Sequence, residues 1–146
     1  MNKKKLIDVC LDYLHKQYTM SKQCSDEIQE QINDYGPNKD RYDPFRTKLM
    51  RSKEMYYKQM ENAVNQIKTL SLIDSKKKCS QIEFGAVVFT DKQNYFIATG
   101  IGKITFEESD FLAISVTAPI YPAMKNKHPN DTINFNGTKQ IIKIIL

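Results

Sequence analysis

Three aspartates, Asp34, Asp40 and Asp43, fall within ten residues of one another around Lys39 and Arg41. Carboxylates that converge can hold a divalent cation, whereas one alone binds Mg²⁺ weakly and leaves most of the shell to water. The plainer reading is that Asp34 and Asp43 turn and cap the chain, since Asp43 stands directly before Pro44. Both readings remain open on the residues alone. Nucleophilic catalysis needs Cys or Ser beside a His that a carboxylate orients. His15 falls inside a helical pattern and His128 lies between Lys127 and Pro129, and neither has an acid or nucleophile beside it in sequence. No catalytic set is therefore expected. Cys10 and Cys24 are about 21 Å apart if on one helix, too far for a shared metal, and with Cys79 they form no CxxC spacing. Gly100-Ile101-Gly102 lacks the strand-to-helix setting that gives such glycines a phosphate.

The elements that must position these groups have two periods. From Lys3 to about Asn33 apolar residues return at helical spacing: Ile7, Leu11, Leu14 and Tyr18, then Met20, Cys24, Ile28 and Ile32. No Pro or Gly interrupts them, so one amphipathic helix on the order of 45 Å is expected. Asn33 to Asn38 contains Gly36-Pro37 and ends it. A second helix is expected from Pro44, with Phe45, Leu49, Ser52, Tyr56, Met60, Ala63, Ile67 and Leu70 stepping by three and four as in a coiled-coil seam. Two helices of similar length joined by a short loop pair antiparallel. Residues 1–74 are thus expected to form a helical hairpin with its tip near 34–44.

Residues 75–146 change to period two. Strands are expected from Ile82 to Thr90, Tyr95 to Thr99 and Phe111 to Val116, with Gly100 and Gly102 at a bend. Pro122 suits the first turn of a short helix. Ile133 to Phe135 and Thr138 to Leu146 flank Asn136-Gly137, a pair that favours the primed hairpin turn. The fold class expected is α+β: a long antiparallel helical hairpin, then a small antiparallel sheet domain with one short helix.

Composition narrows the function classes. The chain has 146 residues, 22 basic and 17 acidic, for a net charge of +5. Split at residue 74, the halves carry +2 (13 basic, 11 acidic) and +3 (9 basic, 6 acidic). Only Lys3–Lys5 and Lys76–Lys78 are dense runs, enough for weak nonspecific attraction to DNA and no more. The simpler reading of both is solvated helix ends. No stretch reaches the roughly 18 apolar residues of a membrane span, so a cytoplasmic protein with reduced cysteines and no membrane contact is expected.

The hairpin followed by a sheet, together with three stretches, resembles the Gre-type transcription elongation factors of bacteria. The stretches are Glu83-Phe84-Gly85-Ala86-Val87-Val88, then Ile114 to Ile120 with Ala123 to Lys127, and Asn130-Asp131-Thr132. Asp40-Arg41-Tyr42-Asp43 is similar to a compact subgroup from Bacteroidetes-type bacteria. The resemblance implies an FKBP-like sheet domain that docks at the rim of the RNA polymerase secondary channel while the coiled coil enters it. It implies acids at the tip, here Asp34, Asp40 and Asp43, that help retain a catalytic Mg²⁺ of the polymerase. Nascent RNA would be contacted only indirectly, and the factor would be a nonenzymatic monomer. Ser115, Thr117, Pro119 and Ile120 are the rim contacts it implies. Anchored on Tyr42, the family's paired tip acids fall at Tyr35 and Asn38, and Arg41 stands at a family Glu. Two further readings stay open: a channel binder without cleavage activity, and a coiled-coil or FKBP-like adaptor outside transcription.

Overall fold

The structure is a computed structural model that describes residues 1–37 and 43–146. It is α+β, and it divides into two compact units, one formed by Met1–Leu11 with Lys68–Leu146 and the other by Asp12–Ile67. Among the described residues no helix is long and apolar enough to cross a membrane.

The Asp12–Ile67 unit is helical. Helix α1 spans Lys3–Tyr35 and α2 spans Pro44–Ser71. Gly36 ends α1: its N–H donates to the Ile32 carbonyl at 3.0 Å, and its φ of +85° is one that a Cβ would oppose. The helices run antiparallel. Ser21 Oγ donates to Gln59 Oε1 at 3.1 Å, Lys53 Nζ donates to Gln29 Oε1, and Tyr35 and Phe45 have ring centroids 4.9 Å apart, so positions on α2 fall as those on α1 rise. The seam departs from the sequence expectation on α1. Ser21 and Ser25 are buried, while Met20 is 61% exposed and Cys24 only half-buried. Small serines let two helices approach closely, and the Ser21 hydroxyl finds its partner across the seam, so the stripe follows Leu14, Tyr18, Ser21, Ser25, Ile28 and Ile32. On α2, Leu49, Ala63 and Leu70 are buried as expected, whereas Phe45 is 53% exposed and meets Tyr35 from outside the seam.

The other unit is built on a six-stranded sheet in the order β3-β4-β2-β1-β6-β5. Its strands are β1 (Val87–Thr90), β2 (Asn94–Ile97), β3 (Gly102–Phe106), β4 (Ser109–Ile114), β5 (Thr132–Phe135) and β6 (Thr138–Ile145), with helix α3 at Tyr121–Met124. Pairings are antiparallel except β2 with β4, where Asn94 to Ile97 lie beside Phe111 to Ile114 in parallel. Val87 and Val88 are both fully buried, so β1 is covered on both faces, which explains its continuous apolar run. Val88, Tyr95, Ile97, Ile133 and Ile142 form one core with Tyr121 and Met124 of α3. Phe96 and Phe111 are also buried, each worth about 2–3 kcal/mol relative to exposure. Leu6 and Cys10, from the first turns of α1, are buried in the same unit.

Three strand expectations need correction. β1 begins at Val87 instead of Ile82, because Gly85 sits at φ +90° and Ala86 N–H closes a turn on the Glu83 carbonyl. Ile82 is tied instead to Asn126 and Lys127 through backbone bonds. The strand expected at 111–116 is Ser109–Ile114, and β3 has no counterpart among the sequence expectations. The cause is the β3–β4 turn, Glu107-Glu108, in which both residues take positive φ (50° and 64°). That is the backbone of a primed turn, which Asn136-Gly137 adopts with φ of 48° and 76° between β5 and β6. Glutamates pay for this conformation through Cβ crowding. Replacing Glu107-Glu108 by Asn-Gly is expected to stabilise the protein by about 1–2 kcal/mol, read as a raised urea midpoint at unchanged slope.

Candidate functional site

The tip of the hairpin is built where α1 ends and α2 begins. Pro44 opens α2 and needs no N–H bond there, which leaves the residue before it to cap the helix. Asp43 does so: its Oδ1 accepts the Arg46 N–H at 3.2 Å, and its carbonyl accepts both the N–H and the hydroxyl of Thr47. Its Oδ2 accepts the Tyr35 hydroxyl at 2.8 Å, so one carboxylate joins the end of α1 to the start of α2. Arg46 Nε donates to the Gly36 carbonyl at 3.2 Å and closes the same junction. Asp43 is only 6% exposed. Asp34 is exposed, and Asp40 with Lys39 and Arg41 lies outside the described residues.

Both Asp43 oxygens already accept protein donors, and among the described residues no three His, Cys, Asp or Glu side chains are grouped to hold a metal. What the junction does is fix the register of two helix ends.

The second candidate set lies in the turn between β4 and α3. Ser115 Oγ and Thr117 Oγ1 are 2.5 Å apart, Thr117 N–H donates to Ser115 Oγ at 3.1 Å, and Ala118 N–H donates to the Ser115 carbonyl at 3.1 Å. These bonds fold 115–118 locally and leave Thr117 and Pro119 exposed. Ile120 is half-buried against the core that contains Tyr121 and Met124. Val116, 43% exposed, extends this surface, and sequence reasoning missed it. Its signal was its place between two hydroxyl residues that turn the chain. The four rim candidates thus fall within one stretch, 115–120, and belong to one unit, while Asp34 and Asp43 belong to the other.

The histidines are placed apart from any nucleophilic set. His15 is exposed on α1, and His128 Nδ1 lies 3.8 Å from Asp131 Oδ2. An acid does accompany His128, contrary to the sequence reading, but that carboxylate accepts the His128 backbone N–H at 2.8 Å and so serves the turn.

Sequence reasoning also missed Lys3. It stands in a run of lysines, yet it is 8% exposed; its Nζ donates to the Lys77 carbonyl at 2.9 Å and lies 4.0 Å from Cys79 Sγ. Burial pulls its pKa below the ordinary lysine value and pushes that of the Cys79 thiol up. Lys77, in turn, pairs with Glu83 at 3.2 Å and holds that carboxyl below its ordinary range. A small cavity of about 160 Å³ lies beside Lys3, Cys79, Phe84 and Gly85. A protonated thiol is a poor nucleophile, so this cluster ties the start of α1 to 77–83 and offers no evident chemistry.

No protein-family model matches the chain, and no curated protein matches it. Among solved structures, one similar chain is the GreA factor homolog 1 (Gfh1) protein of Thermus thermophilus, at 12% identity and a TM-score of 0.36, covering 93% of this chain and 94% of that one. Another, described as the transcription factor Gfh1, gives 13% identity and a TM-score of 0.38, covering 93% and 91%.

Proposed function

We propose that this protein is a cytoplasmic RNA polymerase-binding factor of the Gre type, nonenzymatic by itself, whose hairpin enters the secondary channel and modulates paused or backtracked complexes. The observation that supports this most is a conjunction. The chain has an antiparallel helical hairpin followed by a small sheet unit, and the Gre-like words fall at defined places in it: Gly85 at the turn before β1, 115–120 at an exposed turn, and Asn130-Asp131-Thr132 leading into β5. In this reading the exposed turn of Ser115, Thr117, Pro119 and Ile120 meets the channel rim. Magnesium enters only as the polymerase's own ion, with Asp34 and Asp40 as the acids at hand.

Asp43 favours a second form of this reading, a channel binder that does not stimulate cleavage. Its carboxylate caps α2 and accepts from Tyr35, so two of its acceptor sites serve the junction and fewer remain for an ion.

The test adds the protein to bacterial RNA polymerase and to stalled, backtracked complexes. Retention on polymerase is expected, and it should weaken at least tenfold on Pro119→Ala with Thr117→Lys, because a like-sized contact carries about 1–3 kcal/mol at an interface. Loss of retention without these changes would defeat the proposal. Transcript shortening that Asp34→Asn with Asp40→Asn abolishes would favour the cleavage form; no shortening by the unmodified protein would favour the second.

A further inference from the structure

We propose that the sheet-containing unit binds the sugar-phosphate backbone of duplex nucleic acid, in the groove where the two lysine runs meet. The inference does not depend on the polymerase reading. Lys3–Lys5 and Lys76–Lys78 are far apart in sequence, and the fold brings them together: Lys3 Nζ donates to the Lys77 carbonyl, and Asn2, Lys3 and Ser75 to Lys78 line a groove of about 320 Å³. The division into units also redistributes the charge. Met1–Leu11 with Lys68–Leu146 holds 13 basic and 8 acidic side chains, +5, whereas Asp12–Ile67 holds 9 of each and is neutral. The whole net charge of the chain thus belongs to the unit that contains the groove.

Lys76 and Lys78 stand on a short turn that Asp74 fixes: its Oδ1 accepts the Lys76 N–H at 2.9 Å and its carbonyl accepts the Lys77 N–H at 3.2 Å. Both lysines are exposed and form no ion pair among the described residues, while Lys77 is held by Glu83. Lys4, beside the buried Lys3, is exposed as well. Asn2 Oδ1 accepts the Lys5 N–H at 3.2 Å, so the start of α1 lies at the groove, and the first turn of α1 has no acid to offset the positive end of its dipole. The residue types select the occupant. All 13 basic residues of this unit are Lys, and every Arg of the chain lies in the other unit. Lysine is a compact point charge that suits phosphate, whereas forked pairing with carboxylates and with base edges is the work of Arg. No aromatic side chain lines the groove for an unpaired base to stack on. A duplex backbone needs neither, so it fits where a single strand or an acidic peptide loses its best contacts.

Fluorescence anisotropy of the full chain with a labelled DNA duplex of about 20 base pairs should give a dissociation constant on the order of 10 μM at about 50 mM salt. Three or four phosphate contacts predict a slope of about −3 in log K against log salt, hence a loss on the order of fiftyfold by about 200 mM. Lys76→Gln with Lys78→Gln should reduce the magnitude of that slope by about 2, and Lys4→Gln by about 1. Lys76→Glu with Lys78→Glu should weaken binding at least tenfold with the circular dichroism of the chain unchanged, since both are surface residues. Lys92→Glu with Lys139→Glu makes the same change of charge at the other end of β1 and β6, where Lys139 lies about 23 Å along the strand from Leu146 at the groove, and should stay within threefold of the parent. Absence of binding at about 200 μM protein and about 50 mM salt overturns the proposal. So does equal weakening by the two charge-reversing pairs, which would make net charge the cause. A single strand of the same length, or a poly-glutamate peptide at equal charge concentration, that binds more tightly than the duplex overturns it too.

Discussion

Between pH 9 and about 12 the protein is expected to lose about 4 kcal/mol of folding stability through one thiol, that of Cys10. Cys10 is fully buried on the first turns of α1, and burial pushes its pKa from the ordinary 9.0 up to about 12. A raised acid keeps its proton longer in the folded state. Above pH 9 the unfolded chain is therefore the one that gains by releasing it, and stability falls with pH. The contribution is complete below pH 9 and gone near 12, at about 1.4 kcal/mol per pH unit in between. Cys79 acts in the same direction, because burial raises it too. Lys3 opposes both: its folded pKa lies below the ordinary 10.5, so the unfolded state binds more protons in that window and stability rises with pH. The net alkaline curve mixes these signs, and Cys10→Val separates them, since valine has similar volume and nothing to titrate. Urea midpoints from pH 8 to 11.5 should show the parent parallel to Cys10→Val up to about pH 9 and falling relative to it above that. Parallel curves would mean that Cys10 ionises in the folded state without penalty.

Most of the architecture was legible because its signals were local. An uninterrupted 3.6-residue period gave α1, Pro44 after an aspartate gave the start of α2, and Asn136-Gly137 gave the β5–β6 hairpin. The errors have physical causes. Met20 and Cys24 look like seam residues on hydrophobicity, but close helix approach selects small side chains, and Ser21 and Ser25 are buried in their place. The period-two pattern runs unbroken from Ile82 to Val88, while the backbone turns at Gly85. There the added Cβ of an alanine would come within 3.2 Å of Ile73, a contact set by residues distant in sequence. Glu107-Glu108 hid a whole hairpin, since tertiary pairing of β3 with β4 overrides a turn propensity that argues against it.

The candidate site was legible only in part. The turn at 115–120 followed from its hydroxyl and proline residues, which bond locally. The fate of Lys3 did not, because a lysine run reads as solvated unless one member's position against Lys77 and Cys79 is known. At the tip the cap was legible, because Asp43 stands directly before Pro44, whereas the second bond of its carboxylate, from the Tyr35 hydroxyl, was not, since it depends on where α1 ends.

Asp43→Ala is expected to cost about 2 kcal/mol and to loosen the junction between α1 and α2. Loss of an N-cap typically costs about 1 kcal/mol, and loss of the bond from the half-buried Tyr35 hydroxyl adds about as much again. Asp43→Asn should behave differently. Asparagine caps nearly as well as aspartate and its carbonyl can still accept one of the two donors, so the cost should stay below about 1 kcal/mol. Asp34→Ala, at an exposed position, should lie within about 0.5 kcal/mol of the parent. Urea unfolding followed by circular dichroism at 222 nm checks all three. The ordering matters for function as well as for stability. A carboxylate that acts on an ion is disabled by Asn as thoroughly as by Ala, whereas one that holds two helix ends in place is disabled by Ala and largely spared by Asn. If Asp43→Asn retains whatever effect the protein has on backtracked polymerase and Asp43→Ala loses it in step with unfolding, Asp43 acts by building the tip. Equal loss in both, with the Asn variant still fully folded, would place its charge at the ion instead.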